Sequence, residues 1–175
     1  MNAEADSYLV YLVSHLPHSE KVALVCRCAR IVVKLQNSMS LPIGLGKVAA
    51  LEEVIRLAEE SLTESSYLAE LRCSLYSLRN IAFGSPTKGT FPSETVLFHV
   101  ARAVYAAGLT ALTSFDVDAQ NALEAAFAAV QTAESKPAED SLWEELHRAR
   151  KATLETPRSR LKMLCPTAKM TEAIA

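Results

Sequence analysis

Hydrophobic residues recur at helical spacing along most of this chain. One face of a predicted helix carries Val48, Leu51, Ile55, Ala58 and Leu62. The next predicted helix repeats this spacing with Leu68, Leu71, Leu75, Leu78 and Ala82. No segment shows the sustained apolar–polar alternation between turn residues that is typical of a half-buried strand. The pattern therefore predicts an all-α fold, a helical bundle in which these two helices form an antiparallel hairpin.

Turn-forming residues divide the pattern into seven predicted helices. The helices cover residues 7–16, 19–37, 47–62, 66–82, 93–114, 118–133 and 138–155, and a short further helix is predicted near 158–164. The clearest break is a loop over residues 85–92 between two helical halves, because glycine and proline cluster there. A length of 175 residues suits one ordinary domain. We expect that domain to span residues 1–165, followed by a flexible tail over 166–175.

Prolines and short polar residues set the predicted helix ends. Asp6 or Ser7 is expected to cap the first helix, and Pro17 is expected to end it because proline cannot donate a backbone hydrogen bond. Asp116 is the predicted cap of the sixth helix. Lys136 and Pro137 are expected to separate the sixth helix from the seventh.

Two features of the pattern predict how the helices pack. The second helix has polar residues only along a narrow edge, so we expect protein to surround it almost completely. The fifth and sixth helices are rich in alanine. Small side chains allow helix axes to approach closely, so these two helices are predicted to form a tight pair.

Composition and charge narrow the class of protein. Half of the residues are hydrophobic, which excludes a disordered chain. The net charge of -2 and the pI near 6.1 argue against a dedicated nucleic-acid binder. The N-terminus is acidic, and its apolar run over residues 8–13 is too short for a secretory signal. The longest uncharged run in the middle of the chain, residues 103–115, is too short to cross a bilayer. We therefore expect a cytoplasmic protein with no membrane segment.

The potential metal ligands are poorly placed for a metal site. Cys26, Cys28, Cys73 and Cys165 are expected to be reduced thiols, because a chain of this size can form a core without disulfides. Positions two apart on a helix point about 200° apart, so Cys26 and Cys28 cannot share a tetrahedral ion. The histidines form no Glu-x-x-His motif. We expect no metal, no cofactor and no catalytic residue.

Charge is distributed unevenly along the chain. Five glutamates of the third helix region fall within one arc of about 140° on a helical wheel, and they are Glu52, Glu53, Glu59, Glu60 and Glu64. The segment from residue 141 to the end instead has a net charge of +3. Each feature has an ordinary interpretation as a solvated surface. The functional interpretation of the acidic face is a surface that attracts a basic protein partner.

Two alternative sites remain open. A ligand pocket between helices would require Arg27, His99 and Tyr105 to converge, as in an enzyme or a small-ligand binder. A contact with an anion or a nucleic acid would use the basic C-terminal segment, and its candidate residues are Arg148, Lys151, Arg158 and Arg160. The sequence does not determine the oligomeric state.

The alanine-rich segments over residues 101–111 and 122–126 resemble helical pairs of all-α immunity proteins from bacterial toxin systems. The resemblance covers about a fifth of the chain and assigns no individual site residue. It implies a cytoplasmic protein that binds and neutralises a cognate toxin. Together with the absence of a catalytic motif in the sequence, it favours a non-enzymatic protein-binding module.

Overall fold

The computed structural model describes residues 3–39, 45–83 and 92–155. This part of the chain contains helices and turns but no strand, so the predicted all-α fold is confirmed. The helices are α1 (Ala3–His15), α2 (His18–Ser38), α3 (Leu45–Glu60), α4 (Tyr67–Phe83), α5 (Pro92–Thr113), α6 (Asp116–Thr132) and α7 (Lys136–Glu155). The predicted short helix near 158–164, the tail over 166–175 and all but Pro92 of the predicted 85–92 loop lie outside the described residues.

Three predicted helix starts were wrong. Helix α1 begins at Ala3, so Asp6 and Ser7 lie inside it and do not cap it. Helix α6 begins at Asp116 itself; the preceding Phe115 makes no side-chain capping hydrogen bond. The carboxylate of Asp116 instead forms an ion pair with Lys21 of α2.

The third wrong start is that of α7, which includes Lys136 and Pro137 instead of following them. Proline is tolerated in a first helical turn, because the N–H groups there have no partner within the helix. The backbone N–H of Glu139 donates to the carbonyl of Ser135 at 3.0 Å, which closes the first turn around Pro137. Proline, which interrupts the interior of a helix, is therefore compatible with its first turn.

Helix α2 lies at the centre of the molecule. It packs against α3, α5, α6 and α7, and its buried residues include Val22, Leu24, Val25, Ala29 and Val32. This arrangement confirms the prediction that protein surrounds the second helix. One continuous hydrophobic core extends from Leu9 of α1 to Ala149 of α7 and includes residues from every helix.

The tightest helix pair is α5 with α6, as their alanine content predicted. The buried small residues of the two helices include Ala103, Ala107, Ala119, Ala122 and Ala126. On its other side α5 approaches α3 and α4 at Gly108. A Cβ atom added there would lie 2.8 Å from Cδ2 of Leu75 and 3.1 Å from Cγ1 of Val54, so glycine permits this close approach.

An aromatic cluster joins α1, α6 and α7. The ring of Trp143 lies 5.0 Å from that of Phe127 and 6.4 Å from that of Tyr8, measured between centroids. The guanidinium of Arg150 lies 5.9 Å above the Tyr8 ring. These contacts fasten the first helix to the last described one.

Helix α5 also has the length and composition of a membrane-spanning helix over residues 94–113, although the uncharged run within it is shorter. In the folded molecule 56% of the most apolar window is buried against other helices. The core helix of a soluble protein passes the same test of length and composition, so this segment is only weak evidence for membrane insertion.

Candidate functional site

The outward side of α4 combines two exposed aromatic residues with two arginines. Arg72, Tyr76, Arg79 and Phe83 follow a spacing of four, three and four residues, which places them on one side of the helix. Tyr76 is 77% exposed and Phe83 is 60% exposed. We call these four residues the α4 face.

The local sequence explains why these side chains point outward. Leu71, Leu75, Leu78 and Ala82 form the buried seam of α4. Tyr76 and Phe83 each follow a seam residue directly, and one helical step turns a side chain by about 100°. Burial of the seam therefore holds the two aromatic residues outside the core.

Phe83 is held in place by a contact with α5. Its ring meets the ring of Tyr105 edge to face, with 5.1 Å between the centroids and an angle of 84° between the planes. This arrangement is favourable for aromatic pairs. Phe83 therefore has a defined position while most of its surface remains accessible.

The two arginines of the α4 face form no ion pair with a described residue. Both Arg72 and Arg79 are exposed. Several other arginines are paired with glutamates, and they are Arg27, Arg30, Arg56 and Arg148. The guanidinium groups of the α4 face are therefore available to an acidic ligand.

Internal ion pairs neutralise part of the predicted acidic face. Arg56 pairs with both Glu53 and Glu60 on its own helix, at 2.5 Å from Glu53 Oε1 to Arg56 Nη2. Glu59 forms an ion pair with Arg30 of the neighbouring helix α2, with 2.5 Å between Glu59 Oε2 and Arg30 Nη2. The hydrogen bond from Arg56 lowers the pKa of Glu53. The hydrogen bond to Glu59 raises the pKa of Arg30.

The two remaining glutamates of that face are exposed. Glu52 forms no ion pair with a described residue, and Glu64 accepts a hydrogen bond from the Ser66 hydroxyl at 2.7 Å. Three of the five predicted partner-binding carboxylates are thus already engaged by arginines. A basic partner would have to compete with these internal pairs.

The three residues of the predicted ligand pocket have different neighbours in the structure. Arg27 donates to Glu145 of α7 at 2.7 Å, whereas Tyr105 contacts Phe83 of α4. His99 lines a cleft between α5 and α6 whose lining includes neither of the other two. Helical spacing alone does not reveal these neighbours.

The α5–α6 cleft has a volume of about 340 Å³. Its lining comprises His99, Arg102, Asn121, Glu124, Ala125, Phe127, Ala128 and Gln131. Burial, with a smaller contribution from the nearby Arg102 charge, lowers the pKa of His99. The Nδ1 atom of His99 is buried and has no hydrogen-bond partner within the described part of the chain.

The predicted anion-binding segment is only partly described. Arg148 forms an ion pair with Glu145 three residues earlier, and Lys151 is exposed. Arg158 and Arg160 lie outside the described residues. Arg148 is therefore engaged within α7, and only Lys151 is described as an unpaired cation of this group.

The thiols fall into two environments. Cys26 and Cys28 are buried and unbonded, and burial raises the pKa of each to about 12. Cys73 is also a free thiol but is exposed on α4, whereas Cys165 lies outside the described residues. No cluster of three or more potential metal ligands occurs in residues 3–39, 45–83 and 92–155.

Comparison with protein families, curated proteins and solved structures finds no match to this chain. The functional interpretation therefore depends on surface chemistry. The sequence pattern did not predict Tyr76 and Phe83 as site residues, because helical periodicity identifies the buried leucine seam and not the exposed residues beside it. Two aromatic residues seven positions apart on the polar side of that seam were the available signal.

Proposed function

We propose that this protein is a non-enzymatic protein-binding module that uses the α4 face to bind an acidic partner surface with apolar contacts. The observation that carries the proposal is the side-by-side exposure of Tyr76 and Phe83 with the unpaired Arg72 and Arg79. Aromatic residues and arginine are enriched in protein interfaces and among the residues that dominate binding energy.

The chemistry of the face defines its partner. Two guanidinium groups favour carboxylates, to which each can donate parallel hydrogen bonds. Burial of the Tyr76 and Phe83 rings against apolar side chains of a partner is favourable, because it removes apolar surface from water. We therefore expect the partner to present aspartate or glutamate beside leucine or aromatic residues.

The α4 face is a better candidate than the acidic side of α3. The carboxylates of Glu53, Glu59 and Glu60 already have arginine partners, so a basic ligand would have to compete with those arginines. Arg72 and Arg79 have no such partners among the described residues. An incoming carboxylate at the α4 face therefore has no internal ion pair to break.

The narrower form of the proposal is a cytoplasmic immunity protein whose partner is a cognate toxin. Its support is the resemblance of residues 101–111 and 122–126 to helical pairs of such proteins. In the structure these segments lie in the α5–α6 pair and are mostly buried. They would therefore supply the scaffold, and the α4 face would supply the contact with the toxin.

Site-specific crosslinking tests the location of the interface. A photoreactive phenylalanine analogue is placed at Tyr76 of the full chain and, as a matched control, at Tyr11, a tyrosine of α1 that is 59% exposed. Capture from lysate of the source cells should give a discrete crosslinked protein at position 76 and not at position 11. Equal yields at both positions would contradict the proposed interface.

Substitutions in the α4 face test which side chains bind the partner that crosslinking has identified. Tyr76→Ser and Arg79→Glu should each weaken binding by about tenfold or more, since central aromatic and arginine contacts contribute about 2 kcal/mol. Glu64→Lys, an exposed change beyond the end of α3, should leave affinity within about twofold of the wild-type value. Unaltered affinity of both α4 variants would refute the proposal, and a crosslink only to a second copy of this chain would replace it with self-association.

Growth of bacteria tests the narrower form. Expression of the captured partner alone should stop growth, and co-expression of the wild-type chain should restore it. Co-expression of the Arg79→Glu variant should restore growth less well. A partner that is harmless on its own would exclude the immunity role while leaving the α4 interface intact.

A further inference from the structure

The α5–α6 cleft has a polar lining that its own residues leave largely unused. Helices α5 and α6 are joined by the two residues Ser114 and Phe115, which turn the chain back on itself. His99 and Arg102 line the cleft from α5, and Asn121, Glu124 and Gln131 line it from α6. The cleft lies within the volume range of small-ligand sites.

Two opposite charges border this cleft without pairing with each other. Neither Arg102 nor Glu124 forms an ion pair with a residue in the described ranges. The Arg102 guanidinium lies 5.6 Å from the centroid of the Phe98 ring. Both charges are therefore available to a molecule that enters the cleft.

The imidazole of His99 also lines the cleft. Its Nδ1 is inaccessible to solvent and makes no hydrogen bond to any described residue. Because a water molecule does not reach Nδ1, a ligand in the open cleft would contact other atoms of the ring.

We propose that the α5–α6 cleft binds a small zwitterion of the size of an amino acid or a dipeptide. Arg102 would bind its carboxylate and Glu124 its ammonium group. Asn121 and Gln131 would add amide hydrogen bonds, and Ala125 and Ala128 leave room for the ligand backbone.

A ligand with charges of both signs fits this lining better than a simple ion. An anion would be attracted by Arg102 but repelled by Glu124. A cation would be attracted by Glu124 but repelled by Arg102. Only a dipolar molecule pairs both residues at once. The cleft volume of about 340 Å³ corresponds to roughly ten water molecules at about 30 Å³ each, which matches an amino acid or a dipeptide.

Nuclear magnetic resonance of the isotope-labelled full chain tests this proposal directly. The probes are the standard L-amino acids and glycylglycine, each added separately at millimolar concentration. At least one probe should shift the His99 ring signals together with backbone amides of α5 and α6. The N-acetyl and methyl-ester derivatives of that probe, which each lack one charge, should bind at least about tenfold more weakly. The absence of binding by every probe, or equal binding of the blocked derivatives, would overturn the proposal.

Variants of two exposed cleft residues test whether the probe binds through its charges. Arg102→Gln and Glu124→Gln should each weaken binding of the selected probe by about tenfold or more, and circular dichroism should show unchanged helicity. Glu144→Gln, an exposed change on α7 outside the cleft, should bind the probe like the wild type. Wild-type affinity in both cleft variants would also overturn the proposal. Because the site uses neither Tyr76 nor Arg79, its failure leaves the protein-binding proposal unaffected.

Discussion

Gln36 is a buried polar residue without an evident structural purpose. It is 2% exposed, and neither its amide nitrogen nor its amide oxygen has a hydrogen-bond partner in the described part of the chain. An unsatisfied polar group in a protein interior carries a desolvation cost of about 1–3 kcal/mol. Gln36 therefore lowers the stability of the fold at its present position near the end of α2.

Gln36→Met should stabilise the protein, because methionine has a similar shape and no amide to desolvate. We expect the free energy of unfolding to rise by about 1–2 kcal/mol, measured by urea denaturation. Gln131→Met, an exposed glutamine of α6, is the matched control and should change stability by less than about 0.5 kcal/mol. A loss of stability in the Gln36→Met variant would show that the amide has a favourable partner.

The buried thiols should make stability decrease at alkaline pH. The pKa of Cys26 and of Cys28 is raised from 9.0 to about 12 in the folded protein, chiefly by burial. The unfolded chain therefore releases these protons first as the pH rises. The stabilisation from the two protonated thiols should be complete below about pH 9. The free energy of unfolding should then fall between about pH 9 and pH 12.

Urea denaturation at several pH values measures this decline. The Cys28→Ala variant should show a shallower decline than the wild type, because one of the two raised pKa values is removed. In the native protein at pH 8, iodoacetamide should label the exposed Cys73 and spare Cys26 and Cys28. Rapid labelling of Cys26 and Cys28 would contradict their burial.

At the scale of helices, the ion pair between Arg27 and Glu145 links α2 to α7. The Glu145 side chain is only 13% exposed, and it accepts hydrogen bonds from both Arg27 and Arg148. Arg27→Met should remove one of these donors from a mostly buried carboxylate. We expect a loss of about 1–2 kcal/mol, between the values typical of surface and buried ion pairs.

A double-mutant cycle isolates this contact. The combined Arg27→Met and Glu145→Gln variant should lose less stability than the sum of the two single variants. Arg56→Met is the matched control, because both partners of Arg56 lie on its own helix and the side chain is exposed to solvent. Its effect should be smaller than that of Arg27→Met. Additive effects in the cycle would show that α2 and α7 do not gain stability from this pair.

The sequence predicted the helices and the α5–α6 pair, but not the partners of individual side chains. The leucines of α4 occupy the buried side that their spacing indicated, because periodicity reports which residues share a face. It does not report which helix covers that face. For this reason the sequence could not show that Arg27 contacts Glu145 of α7, or that Tyr105 contacts Phe83 of α4. The exposed pair Tyr76 and Phe83 was detectable in principle, since both fall outside the leucine seam.

At the scale of the whole molecule, α2 is the helix that connects most of the others. It contacts α3, α5, α6 and α7, and its residue Val32 is fully buried. Val32→Ala should destabilise the protein by about 1–3 kcal/mol through loss of core packing. Because one core includes every helix, the free energy of unfolding should fall by the same amount in all parts of the fold.

Backbone hydrogen exchange of the Val32→Ala variant tests this cooperativity. The slowest-exchanging amides of α4 and of α6 should lose the same protection free energy, equal to the change measured by denaturation. Glu144→Ala, an exposed change on α7, should leave both sets of amides almost unaltered. A loss confined to one set would show that the two helical halves unfold as separate units.

The aromatic cluster at Trp143 provides the molecule with a built-in optical reporter. Trp143 is the only tryptophan of the chain, and Tyr8 and Phe127 surround its indole at the junction of α1, α6 and α7. Helix α4 packs instead against α3 and α5. Indole emission should therefore shift to longer wavelength when the junction opens to water, yet stay constant when a partner covers Tyr76. One fluorescence spectrum thus distinguishes a variant that has lost its partner from a variant that has lost its fold.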